Sequence, residues 1–261
     1  MANTHSAAEA HASDIQAVAR VGQICGLFGA DTADLTAVEV AERLGLNRTT
    51  AYRYCTSMVA AGILDRGSRK GSFALGALML RLGIYALGRR PIVDIAPAHL
   101  ARLSTTVHMT AVLSLWGGSG PVVAVVEEDP TRAAVVTVRP GTVLGLDAAQ
   151  TRVFLAHLTD GATFETLAAS CSPPERAELE TAVYTARRTG YSISELPGGV
   201  VGVAAPVFGP RGIAATIALL GADSGVDLSA GSATVTELLR TAADLADELA
   251  QDRPRHEDTD I

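Results

Sequence analysis

The chain has 261 residues, of which 48% are hydrophobic and 19% charged, with a formal net charge of −7. That is enough apolar material for one large domain or two modest ones, and too little charge for an intrinsically disordered chain. Its three scattered cysteines, Cys25, Cys55 and Cys171, have the spacing of neither a metal site nor a disulfide framework.

The charge is unevenly placed. Residues 1–90 hold 10 Arg/Lys against 7 Asp/Glu, whereas residues 91–261 hold 11 against 21. Between Arg43 and Arg90 the only acid is Asp65, among nine basic side chains. A locally basic head on an acidic body is the pattern of a DNA-binding module fused to a second domain.

In chain order, MANTHSAAEAHASD has no basic n-region or apolar h-region, and no apolar run reaches the ~18 residues of a membrane span. A cytoplasmic location is expected. Residues 1–13 and 252–261 read as polar tails. Helical spacing predicts a first helix over 14–29. Thr36 followed by Glu39 is a capping-box pattern that opens a short helix ended by Gly45. Asn47 caps the next helix, which packs Ala51, Tyr54 or Cys55, Met58 and Val59 inward and stops at Gly62. The segments ILDR and SFAL then flank GSRKG, a glycine-bounded hairpin with a basic tip. Helix, turn, helix and basic hairpin in this order describe a winged helix-turn-helix over 14–75. The candidate DNA contacts are Thr36, Asn47, Arg48, Thr49, Thr50, Tyr52 and Arg53, with Arg66, Arg69 and Lys70 on the wing. Residues 76–90 read as a linker helix stopped by Pro91.

Residues 91–251 change character. A helix over 92–107 precedes three short Val-rich strands at 109–116, 121–127 and 133–139. A helix covers 148–158, and Ser172-Pro-Pro-Glu opens another that runs to Gly190. Strands at 200–208 and 212–220 and a final helix over 230–250 follow. Close strand pairs joined by short turns imply antiparallel pairing, so the second domain is α+β with a mainly antiparallel sheet.

Taken together, residues 36–64, the passage SFALGALMLRLG (72–83), RRTGYSI (187–193) and GVVGVAAPVFGPRGIAATIALLG (199–221) resemble the IclR-type bacterial transcriptional regulators. The resemblance runs from about residue 14 to 250. It implies a C-terminal effector-binding domain, a pocket between sheet and helices, dimers that often pair into tetramers, and operator DNA as partner. Its effectors would be small organic acids or aromatic catabolites. Ala218 and Leu220 stand where relatives often carry small hydroxyl residues, and Gly202 where some carry a polar or thiol side chain. Glu195 is alone where an acidic cluster is usual, and GLDAAQTRVFLA (145–156) lacks the glycine often found ahead of the basic residue, here Arg152. These differences point to a less polar effector, an aromatic or amide-like compound, while N–H groups at the start of the 148–158 helix keep an aromatic acid in view. The expected lining is Met109, Ala111 and Leu113 on one strand face, Asp147, Ala149 and Gln150, and Gly202, Ala204, Ala218 and Leu220.

No GxSxG elbow, P-loop, HExxH or dinucleotide fingerprint occurs, so neither catalysis nor a cofactor or metal is expected. The alternatives are an enzyme, or a constitutive DNA-binding protein, whose C-terminal domain does not sense.

Overall fold

The computed structural model describes residues 15–131, 136–196, 198–222 and 226–251. Both terminal tails, and residues 133–135 of one expected strand, lie outside them. The chain divides into two compact units between Arg89 and Arg90.

In the first unit, α1 (Gln16–Cys25) precedes a two-residue strand, β1 (Leu35–Thr36), which the sequence reading did not anticipate. Thr36 then caps α2 (Ala37–Leu44). Its hydroxyl accepts from the Glu39 N–H at 3.2 Å, and the Thr36 N–H donates to the Glu39 carboxylate at 2.6 Å. Gly45 ends α2 at φ +63°, a left-handed conformation that costs glycine little. Asn47 accepts from the Thr49 N–H and opens α3 (Arg48–Ala60). The wing follows as β2 (Leu64–Arg66) and β3 (Ser72–Leu75), giving a three-stranded antiparallel sheet of order β1-β3-β2. Ile24, Leu35, Val40, Ala51, Cys55, Met58, Leu64 and Phe73 form the core of this unit. A further helix, α4 (Ala77–Gly88), buries none of its residues.

The second unit opens with α5 (Ile92–Val107). Five strands follow: β4 (Thr110–Trp116), β5 (Pro121–Glu127), β6 (Ser192–Leu196), β7 (Val200–Gly209) and β8 (Gly212–Ala222). They form one antiparallel sheet of order β5-β4-β8-β7-β6. Between β5 and β6 the chain builds α6 (Ala149–His157), α7 (Gly161–Ala168) and α8 (Pro173–Thr189), and α9 (Ala233–Gln251) closes the unit. The strand expected at 133–139 is corrected: residues 136–139 carry no strand. After the Pro140-Gly141 break the chain meets β5 only briefly, through Gly141 N–H to the Val123 carbonyl (2.8 Å) and Val123 N–H to the Thr142 carbonyl (2.9 Å).

The sheet is buried on both faces. One face packs Ala111, Leu113, Val203, Ala205, Ile217 and Leu219 against Leu100 and Leu103 of α5 and Leu238 and Leu245 of α9. The other turns Ala204 and Ala218 toward Ala149 and Val153 of α6, with Leu179 and Val183 of α8 behind. β7 serves both, because successive side chains of a strand point to opposite faces.

Candidate nucleic-acid interface and ligand cavity

Asn47, Arg48, Thr49, Thr50, Tyr52 and Arg53 are all exposed at the N-terminal half of α3, while Ala51, Cys55 and Met58 hold its other side in the core. The helix therefore presents two guanidinium groups, two hydroxyls, an amide and a phenol on one free surface. These are the groups that reach base edges and phosphates in a major groove. Tyr52 meets Phe73 edge-on at 6.4 Å between ring centres.

Thr36 and Arg69 are placed differently from that expectation. The Thr36 hydroxyl is committed to Glu39 within the capping box, donating to its carboxylate at 2.8 Å. Arg69 turns back from the wing onto the head: its Nη2 donates to the Asp34 carbonyl at 2.6 Å and pairs with the Glu39 carboxylate at 3.3 Å. The Asp34 carboxylate accepts from the Ser68 N–H at 3.0 Å and from the Ser68 hydroxyl. A Cβ on Gly67 would strike both Asp34 and Ser72, so only glycine permits this close approach. Thr36 and then Arg69 hold the Glu39 carboxyl down at about 2, and the Ser68 bonds lower that of Asp34. The wing is thus strapped to α2, leaving Lys70 exposed at its tip and Arg66 over the Phe73 ring at 5.0 Å.

In the second unit a cavity of about 260 Å³ lies between the sheet and α6. Of the expected effector-lining residues, Ala149 and Gln150 of α6, Gly202 of β7, and Ala218 and Leu220 of β8 are brought together in its wall. Ser194 and Leu196 of β6, Val200, Leu144, Ala148 and the 136–138 segment complete the wall. Among the described residues, no side chain in this wall is ionisable. Ala204 lies under the wall, in the cluster with Ala149 and Ala218. Asp147 is exposed and outside the lining.

Met109, Ala111 and Leu113 are corrected. They belong to the cluster facing α5 and α9, on the sheet face opposite the cavity. Val112, not Ala111 or Leu113, stands directly across from Ala218, and cross-strand partners share a face. A one-residue error of parity reverses every assignment along a strand. Here β4 is buried on both sides, so its apolar pattern carries no parity signal.

Gln150 is 4% exposed. The Ser114 hydroxyl donates to its Oε1 at 3.2 Å, and its Nε2 has no hydrogen-bond partner among the described residues. No side chain caps α6, so the N–H groups of its first residues, Ala149 and Gln150, have no intrahelical acceptor. Ser194 escaped the sequence reading because β6 itself did. The available signal was the alternation in Ser192-Ile193-Ser194, ahead of a glycine turn into β7.

Outside the cavity lining, the second unit also holds a histidine–carboxylate pair. His108, which ends α5 at φ +57°, donates from Nδ1 to the Asp129 carboxylate at 2.7 Å. Asp129, whose side chain is only 1% exposed, also accepts from the Thr131 N–H at 2.9 Å. The His108 bond first and the Thr131 N–H second bring its carboxyl to about 2.

Fold and site define a winged helix-turn-helix protein with an α+β domain that encloses a small apolar cavity. Residues 17–68 match the IclR helix-turn-helix domain. Over 104 residues the chain is 27% identical to the HTH-type transcriptional regulator XynR of Escherichia coli, a match spanning 40% of this chain and 41% of XynR. A putative IclR transcriptional regulator from Silicibacter sp. has the same fold, with a TM-score of 0.78 at 21% identity, over 93% of this chain and all of the other. An IclR homolog from Microbacterium hydrocarbonoxydans, complexed with 4-hydroxybenzoate, aligns over 90% of this chain and 99% of its own, with a TM-score of 0.69 at 21% identity. The head thus matches the IclR helix-turn-helix domain, and the chain as a whole shares the fold of solved IclR-type structures.

Proposed function

We propose that this chain binds palindromic operator DNA as a homodimer or tetramer and that a small molecule in the second-unit cavity controls it. The observation that carries the reading is one chain holding a match to the IclR helix-turn-helix with exposed polar side chains on α3 and, separately, a cavity with a half-partnered amide in its wall. On this reading the functional boundaries are a head over 14–75, a linker helix over 76–90 and an effector unit over 91–251.

The head's surface supports pairing. On α4, Leu80 is 67% exposed and Ile84 and Tyr85 each 64%, a density of exposed large apolar side chains that marks an interaction surface. Ile15, which precedes α1, and Val18 on it are exposed, and an open groove of about 500 Å³ is lined by Ala17 and Val21 of α1 and by Tyr54, Met58 and Ile63, together with Thr50 and Arg53 of α3. Two heads would place two recognition helices in successive major-groove faces, about one helical turn apart. Pairing also compensates for the modest charge of a single head.

The effector is a small aromatic or weakly polar catabolite or organic acid, bound in the cytoplasm. Apolar walls at Leu144, Leu196, Val200 and Leu220 favour a ring, and the 4-hydroxybenzoate complex of the Microbacterium homolog makes a single-ring compound the natural first probe. Binding shifts the population of head arrangements that fit the operator.

The test has two parts. Duplexes selected from a random pool should share a two-fold symmetric site, and Arg48→Ala with Arg53→Ala should abolish their binding at fixed salt. A thermal-shift screen of catabolic intermediates should then yield compounds that also change operator affinity. Retained affinity in the double variant sinks the recognition helix, and a screen in which no compound moves either readout sinks the effector role.

A further inference from the structure

We infer that the effector is an uncharged carbonyl compound (an amide, lactone or ketone) whose oxygen accepts from Gln150 Nε2. The inference rests on reading the cavity as the effector site.

Gln150 is buried with one half of its amide engaged and the other free. Ser114 Oγ donates to Oε1, and Nε2 is left without a partner among the described residues, in a side chain that belongs to the lining of a cavity whose walls are otherwise mostly apolar. An unpaired buried donor is costly, and a ligand oxygen relieves that cost on binding. The uncapped N–H groups of Ala149 and Gln150 lie at the same end of α6, so one oxygen with two lone pairs is matched by donors of both kinds.

Charge decides between a neutral oxygen and a carboxylate. The hydrogen-bonding side chains of the wall are Thr137, Gln150 and Ser194, and none is ionised. Arg152, the cation of α6, sends Nη1 to the Ile193 carbonyl at 3.0 Å and is not part of the wall. A carboxylate entering here would shed its hydration and, among the described residues of the wall, meet no positive group but the α6 terminus, equivalent to roughly half a positive charge. Desolvating an ion costs far more than desolvating a carbonyl, and a fractional charge does not offset it as a cationic side chain would. Leu220 and Val200 then pack the body of the ligand, and Ser194 meets a hydroxyl or N–H at its far end.

The experiment is titration calorimetry of the full chain at neutral pH with 4-hydroxybenzamide and 4-hydroxybenzoate, which share a ring and differ in charge. The amide should bind at least about tenfold more tightly than the acid, and Gln150→Leu should weaken the amide by about tenfold or more. If Gln150→Leu fails to fold, the comparison on the unmodified chain decides alone. Equal or tighter binding of the acid overturns the inference and leaves the cavity's role intact, as does unchanged amide binding in a folded Gln150→Leu. Silence from both compounds also overturns it, and only a silent wider screen removes the effector site itself.

Discussion

At the scale of single residues, the two faces of the sheet separate the cavity from the core shared with α5 and α9. Leu113 is fully buried against α5 and α9, so Leu113→Ala should cost about 2–5 kcal/mol of unfolding free energy and leave ligand affinity unchanged. Denaturant titration with and without ligand checks both halves. Gly202 should behave in the opposite way. A Cβ there would sit 3.1 Å from Ser194 Oγ and 3.3 Å from Leu220 Cδ2, inside the cavity wall. Gly202→Val should abolish ligand-induced thermal shifts while operator binding persists, and a surviving shift would remove this position from the site. The cavity was legible from sequence at Gln150, Gly202, Ala218 and Leu220. It was misread at Met109, Ala111 and Leu113 because both parities of β4 are buried, and only its pairing with β8 tells them apart.

Asp129 contributes to the pH dependence of the second unit, as Glu39 does in the head. The folded Asp129 carboxyl titrates at about 2, below the roughly 3.9 of an unfolded aspartate, so it adds stability above about pH 4 and loses it as pH falls toward 2. Asp129→Asn should lower the melting temperature at neutral pH and flatten the acid limb of a melting-temperature profile. A profile parallel to that of the unmodified chain would show that the His108 bond contributes nothing.

At the scale of elements, the wing is the informative case. A side chain that neutralises a phosphate contributes about one counterion to the salt slope of binding, so Arg48→Ala or Arg53→Ala should reduce that slope by about 1. Arg69 is tied to Glu39 and Asp34, so Arg69→Ala should weaken binding at every salt concentration with the slope unchanged. A slope reduced by Arg69→Ala would mean that it leaves Glu39 for the backbone of the DNA. The capping box, the Gly45 stop and the hairpin were readable because each is a local rule with a local partner. The Arg69 strap was not, since it spans 30 residues to Glu39 and 35 to the Asp34 carbonyl. β1 was too short to show periodicity, and α7 offered only the Asp160 cap as a start signal. On α4, Leu80→Glu with Ile84→Glu should yield monomers in sedimentation and lose two-site DNA binding; persistent dimers would assign pairing to another surface.

At the scale of the whole molecule, each unit has its own core. Calorimetry should therefore resolve two unfolding transitions, of which ligand raises only that of the second unit, and residues 90–251 alone should bind the same compound. A single transition raised as a whole would show that the units unfold together. The charge asymmetry belongs at this scale too. On the proposed function the acidic body would repel DNA, which would confine contact to the head and make it weaken with salt.

The alternation along β7 has a consequence for how such a chain diverges. Val203, Ala205 and Val207 belong to the interior shared with α5 and α9, while Gly202, on the opposite face, belongs to the cavity. If the cavity holds the effector as proposed, mutational drift at its positions can exchange one metabolite for another and leave the interior untouched. Descendants of one ancestral gene could in this way acquire new signals without first acquiring new stability, and the same scaffold would come to serve unrelated operons.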